Sequence, residues 1–504
     1  MEGVDTVPSN YPGLSPVYAG TPKRRKCLYM GNYIVDDNLN THNNSVANLL
    51  RGVGERVLYT DRNLTKCVQP KPGVFEKRLA SLKRTIVHSV GRQSPVTRDQ
   101  FVEYYKGPRR STYERAVASL ALKPICSRDA RLKTFVKAEK INFTMKSDPA
   151  PRVIQPREPR FNVEVGKYLR PIEHKVYDAI DLMFKSPTIM SKYNSVQSAT
   201  ILKAKYDAIP DCVVIGLDAS RFDQHCSEQA LNFEHSIYNN IFKSTELARL
   251  LKEQLVNVGI AKGTDGWFKY KKKGSRMSGD MNTSLGNKLL MCLMCRAYLE
   301  SLNIKYGFAN NGDDCLVFIQ KKHLTKLSSL DQYFLDLGYK MKCEAPVSNF
   351  EQVEFCQCKP ICSNGLWRMV RNVRTCLAKD CASVNLGHDV ELFRRWLKDV
   401  ANCGLAFTAD VPVLGAFYNM LSRFGVEGNY ENMKSEFSCY KQMSAGVHLQ
   451  HNTPDDGGRY SFWIGTGISP DSQIIIEEYF ERAVWGGDKR QLIENIDYII
   501  TNGK

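Results

Sequence analysis

The aspartates of this chain fall where short apolar runs stop, and that placement is the most chemically pointed feature of the sequence. Cys212-Val-Val-Ile-Gly-Leu217 ends at Asp218, and Asp223 follows in the segment Asp218-Ala-Ser-Arg-Phe-Asp223. Asn310-Asn-Gly-Asp-Asp314 separates two further apolar runs and supplies Asp313 and Asp314. Short, stiff carboxylates in a group are the donors that a hard divalent cation such as Mg²⁺ selects. Two such ions can clamp the attacking and leaving oxygens of an in-line phosphoryl displacement. A lone Gly-Asp-Asp is ordinarily a surface turn, so the weight rests on the ordered set and on the elements that carry it.

Those elements are legible in outline. The β-branched run before Asp218 predicts a buried strand that delivers a carboxylate at its C-terminal end. Ile304 to Phe308 and Cys315 to Ile319 predict two strands around a tight turn, with Asn-Gly as the hairpin signal. Residues 227 to 258 predict helix, and the basic stretch Lys269 to Arg276 leads into Ser278-Gly279. After that glycine, Asn282 to Leu302 predicts a long amphipathic helix. Beyond about residue 365, helical patterns alternate with loops and carry no further carboxylate constellation.

Composition narrows the class. At 504 residues, 43% hydrophobic and 24% charged, the chain is globular rather than fibrous or disordered. Its 70 Lys and Arg against 53 Asp and Glu give +17, which favours a polyanionic partner, nucleic acid ahead of a membrane surface. Most of that surplus lies between Lys71 and Arg160, with 21 Lys and Arg against 8 Asp and Glu. Phe101, Tyr104, Tyr105, Tyr113, Phe135, Phe143 and Phe161 fall among or beside those charges, the composition of a single-strand binding groove. Arg109, Arg110, Lys123, Arg131 and Lys133 are its candidate RNA contacts. Residues 1–45, rich in Pro, Asn and Thr around Lys23-Arg-Arg-Lys26, predict a mobile basic leader. No apolar run reaches the roughly 18 residues of a membrane span, and no secretory h-region opens the chain, so a soluble intracellular protein is expected. Its 16 cysteines then stay reduced. Cys292 and Cys295 have CxxC spacing, but lie in an apolar helical run without a second knuckle, which favours buried thiols over zinc.

The motifs together resemble the RNA-dependent RNA polymerases of positive-strand RNA viruses, most closely the tombusvirus-like group of plant viruses. Phe135-Val-Lys-Ala-Glu-Lys140 and Pro151-Arg-Val-Ile-Gln-Pro-Arg157 look like the two halves of fingertip motif F. Leu217 to Asp223 looks like motif A, and Ser278-Gly-Asp-Met-Asn-Thr-Ser-Leu-Gly-Asn287 like motif B. Asn311-Gly-Asp-Asp314 is similar to motif C, Tyr339-Lys-Met-Lys-Cys-Glu344 to motif D and Val353-Glu-Phe-Cys-Gln-Cys-Lys-Pro360 to motif E.

The resemblance implies an α+β right-hand polymerase fold. It divides the chain into a leader (1–45), N-terminal fingers and fingertips (46–210), palm with motif A (211–223), a fingers insertion (224–276), palm with motifs B to E and a small antiparallel sheet (277–364), and a helical thumb (365–504). It implies two Mg²⁺ ions on Asp218 and Asp313 with Asp314 beside them, Mn²⁺ being an alternative ion. Lys137, Lys140 and Arg152 would hold the incoming triphosphate. Asp223, Ser278, Thr283 and Asn287 would read the ribose 2′-hydroxyl. Lys342, with Lys340 as rival, would protonate the leaving pyrophosphate. The implied partners are viral template RNA, ribonucleoside triphosphates, a membrane-anchored auxiliary replication protein of the virus, and host factors. The implied place is the host cytoplasm, in membrane-associated replication complexes. Two rivals share parts of the pattern: a reverse transcriptase, which would normally carry an aromatic gate near Asp223, and a non-catalytic RNA-binding replication factor.

Overall fold

In a computed structural model, the chain is described over residues 2–7, 9–30, 38–427, 442–447 and 451–485. Helices and small sheets are mixed throughout. A four-stranded antiparallel sheet sits at the centre, in the order Tyr306–Asn311, Asp314–Gln320, Cys212–Ala219, Met341–Cys343. Both faces of its Cys212–Ala219 strand are covered. Val213, Ile215 and Leu217 pack on helices Thr283–Ser301 and Pro159–Phe184, while Cys212 and Val214 join Leu316, Phe318 and Val353 on the other side. Burial on both faces is why this strand is a continuous apolar run rather than an alternating one.

The hairpin beside it forms as expected, with one difference in the turn. Asn311 pairs with Asp314, so the two loop residues are Gly312 and Asp313, not Asn311 and Gly312. Gly312 takes φ 84°, the glycine-first pattern of a two-residue hairpin loop. Asp313 therefore stands at the tip, and Asp314 is the first residue of the next strand.

A second sheet of five strands has the order Val17–Tyr18, Gly266–Lys273, Val256–Gly263, Leu132–Val136, Val153–Ile154. Its inner face buries Leu132, Val136, Ala261, Phe268 and Tyr270 against Leu49, Leu50 and Val53 of helix Val46–Val53. The sequence pattern predicts helix from 227 to 258, and the structure ends it earlier. The helices are Glu228–Phe242 and Thr245–Lys252, and the β-hairpin begins at Val256. Lys269 to Lys273, seen first as a charge run, belongs to a strand that alternates aromatic-in and lysine-out.

The expected mobile leader does not hold for the described part of residues 1–45. The Gly3 amide donates to the Arg25 carbonyl at 2.8 Å, and Leu28–Tyr29 pairs with Ala382–Ser383. The Lys23–Lys26 cluster is bound internally: Arg24 pairs with Glu2 at 2.6 Å, and Arg25 donates to the His42 and Val136 carbonyls at 2.8 and 2.6 Å. Cations that cap carbonyls and pair locally look like a solvated run in sequence. The C-terminal helices, including Val390–Thr408, Leu414–Phe424 and Pro470–Arg482, enclose a separate core around Trp396, Phe417 and Phe480. Among the described residues no helix is long and apolar enough to cross a membrane.

Candidate active site

Strand register assembles the carboxylates. Asp218 lies directly opposite Asp314 on one neighbouring strand and opposite Lys342 on the other. Residues opposed in an antiparallel pair share a face, so these three side chains leave the sheet on the same side. Asp314 is held well above the usual carboxylate range, at about 6, first by burial and then by Asp313, with Asp218 and Glu344 adding to the effect. The wall there is acidic, since a cavity of ≈ 320 Å³ is lined by Asp218, Asp314, Glu344 and Glu354. Asp313 is open to solvent at the tip, yet the cleft crowds it. That crowding raises its pKa first and Asp218 adds to the rise, while Arg152 and Lys288 oppose it. Among the described groups, Arg152 and Lys288 are the cations that offset this negative charge at Asp313. Among the described residues, no three His, Cys, Asp or Glu groups already converge on one ion.

The segment from Phe135 to Arg157 brings cations to these acids. The Lys137 amide donates to the Arg152 carbonyl at 2.9 Å, which sets the two side chains across from each other. Both reach one carboxylate: Glu139 lies 3.4 Å from Lys137 and 3.3 Å from Arg152. Arg152 acts electrostatically on both Asp313 and Asp223. Lys140 is used elsewhere. Its ammonium donates to the carbonyls of Lys379 at 2.8 Å and Ala382 at 2.9 Å and lies over the Trp396 ring. It ties this segment to the C-terminal helices and does not join Lys137 and Arg152.

Of the four residues expected around the ribose, two meet. Asn287 Nδ2 donates to Asp223 Oδ1 at 2.7 Å. Burial raises the Asp223 carboxyl, against the lowering effects of Asn287 and Arg276. The Thr283 hydroxyl donates instead to the Asp280 and Met277 carbonyls, at 2.9 and 3.1 Å. Ser278 receives the Gln155 amide on its carbonyl at 2.7 Å. Next to it Gly279 has φ 126°, and a Cβ there would stand 3.0 Å from Pro156 atoms, so this loop needs glycine to lie against the segment that carries Pro156. Lys342 is exposed beside Asp218, whereas Lys340 lies just before the strand and acts electrostatically on His225.

Sequence reading missed what holds Asn287. Arg276 Nε donates to Asn287 Oδ1 at 3.0 Å, and the same guanidinium forms a fully buried pair with Glu234. Burial works against the Arg276 charge, but Glu234 outweighs it and keeps the guanidinium protonated. Glu234 also accepts from Asn282 at 2.7 Å and from Tyr238 at 2.9 Å. Gly286 admits the pair, since a Cβ there would meet Glu234 at 2.3 Å and Arg276 at 2.4 Å. Arg276→Met leaves Glu234 buried without its counter-charge and should cost about 3–5 kcal/mol in a denaturant titration. Adding Glu234→Leu should recover much of that loss. A single mutant as stable as wild type would show that the pair does not hold the loop.

The predicted RNA contacts divide between two surfaces. Arg109 and Arg110 lie exposed on helix Gly107–Leu122, Lys123 caps it, and Arg110 pairs with Glu114 at 2.8 Å. Arg131 and Lys133 are exposed at the five-stranded sheet, where Lys133 pairs with Glu158 at 2.8 Å.

The antiparallel sheet thus pairs Asp218 with Asp314 across its register, beside a hairpin whose loop is Gly312 and Asp313. The family described as viral RNA dependent RNA polymerase matches residues 16–485, and the chain belongs to it. It is 44% identical over 477 residues to the RNA-directed RNA polymerase of Pothos latent virus, covering 94% of this chain and 64% of that protein. It is 42% identical over 475 residues to the RNA-directed RNA polymerase of Turnip crinkle virus, covering 92% and 60%. For that of Tomato bushy stunt virus the identity is 43% over 446 residues, covering 88% and 54%. The chain thus spans 64%, 60% and 54% of the length of these three relatives.

Proposed function

We propose that this chain is the catalytic portion of an RNA-directed RNA polymerase that copies a positive-strand plant-virus genome. It would join ribonucleoside triphosphates by attack of a 3′-hydroxyl on the α-phosphate, with loss of pyrophosphate. The observation that carries the reading is the register of the central sheet, with Asp218 opposite Asp314 and Asp313 at the adjoining tip.

Asp218 and Asp313, with Asp314 beside them, are the residues that would hold two Mg²⁺ ions or Mn²⁺ in their place. The donors are all hard carboxylate oxygens, and the burial that raises Asp313 and Asp314, with Asp218 adding to both and Asp313 to Asp314, disfavours charges that such cations would offset. When bound, the ions supply charge neutralisation at the transferred phosphate. The protein's own groups do the rest. Lys137 and Arg152 bind the triphosphate in place of Glu139, which occupies them here as an internal anion. Lys140 tethers rather than binds substrate. Asp223 and Asn287 take the ribose, while Ser278 and Thr283 shape the loop that carries Asn287. Lys342, beside Asp218, is better placed than Lys340 to give a proton to pyrophosphate. In right-hand terms the central sheet is the palm, the five-stranded sheet and its helices the fingers, and the C-terminal helices the thumb. Template RNA, a membrane-anchored viral replication protein and host factors are the partners this reading assigns, in membrane-associated replication complexes of the host cytoplasm.

The test is templated incorporation by the purified chain with ribo- and deoxyribonucleotides. Template-dependent ribonucleotide extension, poor with deoxynucleotides, is expected. Equal use of deoxynucleotides would mark a reverse transcriptase, and RNA binding without incorporation a non-catalytic factor. Either result overturns the reading.

A further inference from the structure

The outward face of the five-stranded sheet has one character throughout. Its positions on Val256–Gly263 are Val256, Val258, Ile260 and Lys262, and those opposite on Gly266–Lys273 are Lys273, Lys271, Lys269 and Trp267. Lys133 lies beside Ile260 on the next strand, and Phe135 follows one outward position further. These rows contain no carboxylate. Glu158 and Glu228 reach in only to pair with Lys133 and Lys273 at the margins. Among the described residues Lys262, Lys269 and Lys271 make no ion pair, although Lys269 lies over the Trp267 ring. Trp267 is 36% and Phe135 40% exposed, large apolar area left open on both sides of Lys262. A protein that merely needed solubility would have no reason to expose aromatic rings here.

The face also leads somewhere. Two residues past Phe135, on the same side of the strand, stands Lys137, with Arg152 across from it. Arg152 is the cation that acts on Asp313 and Asp223. A strip of flat rings and unpaired lysines therefore runs from the sheet to the edge of the candidate active site.

We infer that this face is a track for single-stranded RNA, with bases stacking on Trp267 and Phe135 and phosphates on Lys262, Lys269 and Lys271. Stacking needs no particular base, and cations follow any phosphate backbone, so the track holds RNA without reading its sequence. The inference rests on the polymerase reading for the identity of the strand, and on the sheet face alone for the binding. An anionic membrane surface would meet the same charges, but a face of alternating rings and lysines set in strand rows matches a polymer better than a plane.

The experiment measures binding of a labelled, unstructured oligoribonucleotide to the full chain across a potassium chloride series. Each phosphate contact adds about −0.7 to the slope of log affinity against log salt for a single strand, so Lys262→Gln/Lys269→Gln/Lys271→Gln should flatten it by about 2. Trp267→Ala should weaken binding about tenfold with the slope unchanged, as loss of one stacking platform does. Melting temperature should stay at the wild-type value in both variants, since these side chains lie outside the core. Unchanged slope and affinity in variants that melt normally would overturn the track. So would loss of binding to phosphatidylcholine–phosphatidylserine vesicles with RNA affinity intact, which would make the face a membrane contact. Ribonucleotide incorporation by the wild-type chain is measured in parallel. Incorporation with an unaltered slope sinks the track and leaves the polymerase, whereas a flattened slope without incorporation supports the track and sinks the polymerase.

Discussion

Asp313→Asn should lower ribonucleotide incorporation by about a thousandfold or more while leaving RNA affinity and melting temperature near wild type. Asparagine keeps the volume of the side chain and removes the charge that a hard cation requires. A metal contributes several kcal/mol of charge stabilisation in the transition state, and each ~1.4 kcal/mol is a factor of ten in rate. The structural half of the prediction has its own argument. A carboxyl whose pKa is raised in the folded protein is one whose ionised form the fold disfavours. Crowding in the cleft and the neighbouring Asp218 both act that way on Asp313, so neutralising it removes a repulsion rather than a support. The same change takes away one of the influences that raise Asp314. The mutant should therefore melt at, or slightly above, the wild-type temperature in metal-free buffer. The checks are primer-extension rates with Mg²⁺ and a thermal melt on the same preparation. Wild-type-like synthesis would sink the metal assignment, and a collapsed melt would make Asp313 a structural residue.

What the sequence disclosed and what it withheld divide along a physical line. Asp218 was legible because its strand is buried on both faces, so an unbroken apolar run stops at the carboxylate. The Gly312 turn and helix Thr283–Ser301 are local structures with local signals, and both stand within a residue or two of expectation. The five-stranded sheet was invisible because it joins Val17, Leu132, Val153, Val256 and Gly266 from distant parts of the chain. Its outer strands have two residues each, too few for a period to register. The leader failed for a related reason: composition reports a preference for loop, not whether that loop is pinned. Lys140 has the same local character as Lys137, and only the approach of Trp396 and the Lys379 carbonyl separates their roles. Glu234 is one acid on an otherwise apolar helix face, ordinary until Arg276 packs beside it.

Sugar selection is where that hidden pair matters most. Arg276 can only donate, so its bond to Asn287 Oδ1 fixes which way the amide faces. The Asn287 Nδ2 group must then point at Asp223, as the 2.7 Å bond records. One Asp223 oxygen is engaged by that amide, and the other keeps accepting capacity for a 2′-hydroxyl. On the proposed role, the preference for ribose would thus be built inward from Glu234, through Arg276 and Asn287, to the carboxylate that would meet the sugar. A deoxynucleotide would leave these partners desolvated and unpaired, at about 1–3 kcal/mol for each group. Two groups make a discrimination of order a hundredfold or more. Asp223→Ala and Asn287→Ala should each lower ribonucleotide kcat/KM and narrow the ribo-to-deoxy ratio, with RNA affinity unchanged. Arg276→Lys should narrow the ratio too, without touching substrate, because a lysine keeps the charge opposite Glu234 but loses the second, directed donor that orients Asn287. The measurement is kcat/KM for one ribonucleotide and its 2′-deoxy counterpart on one template, for wild type and the three variants. If Asp223→Ala and Asn287→Ala both keep the wild-type ratio, the sugar-reading role is wrong even should the metal site stand. If only Arg276→Lys keeps it, Asn287 is oriented by something other than the buried pair.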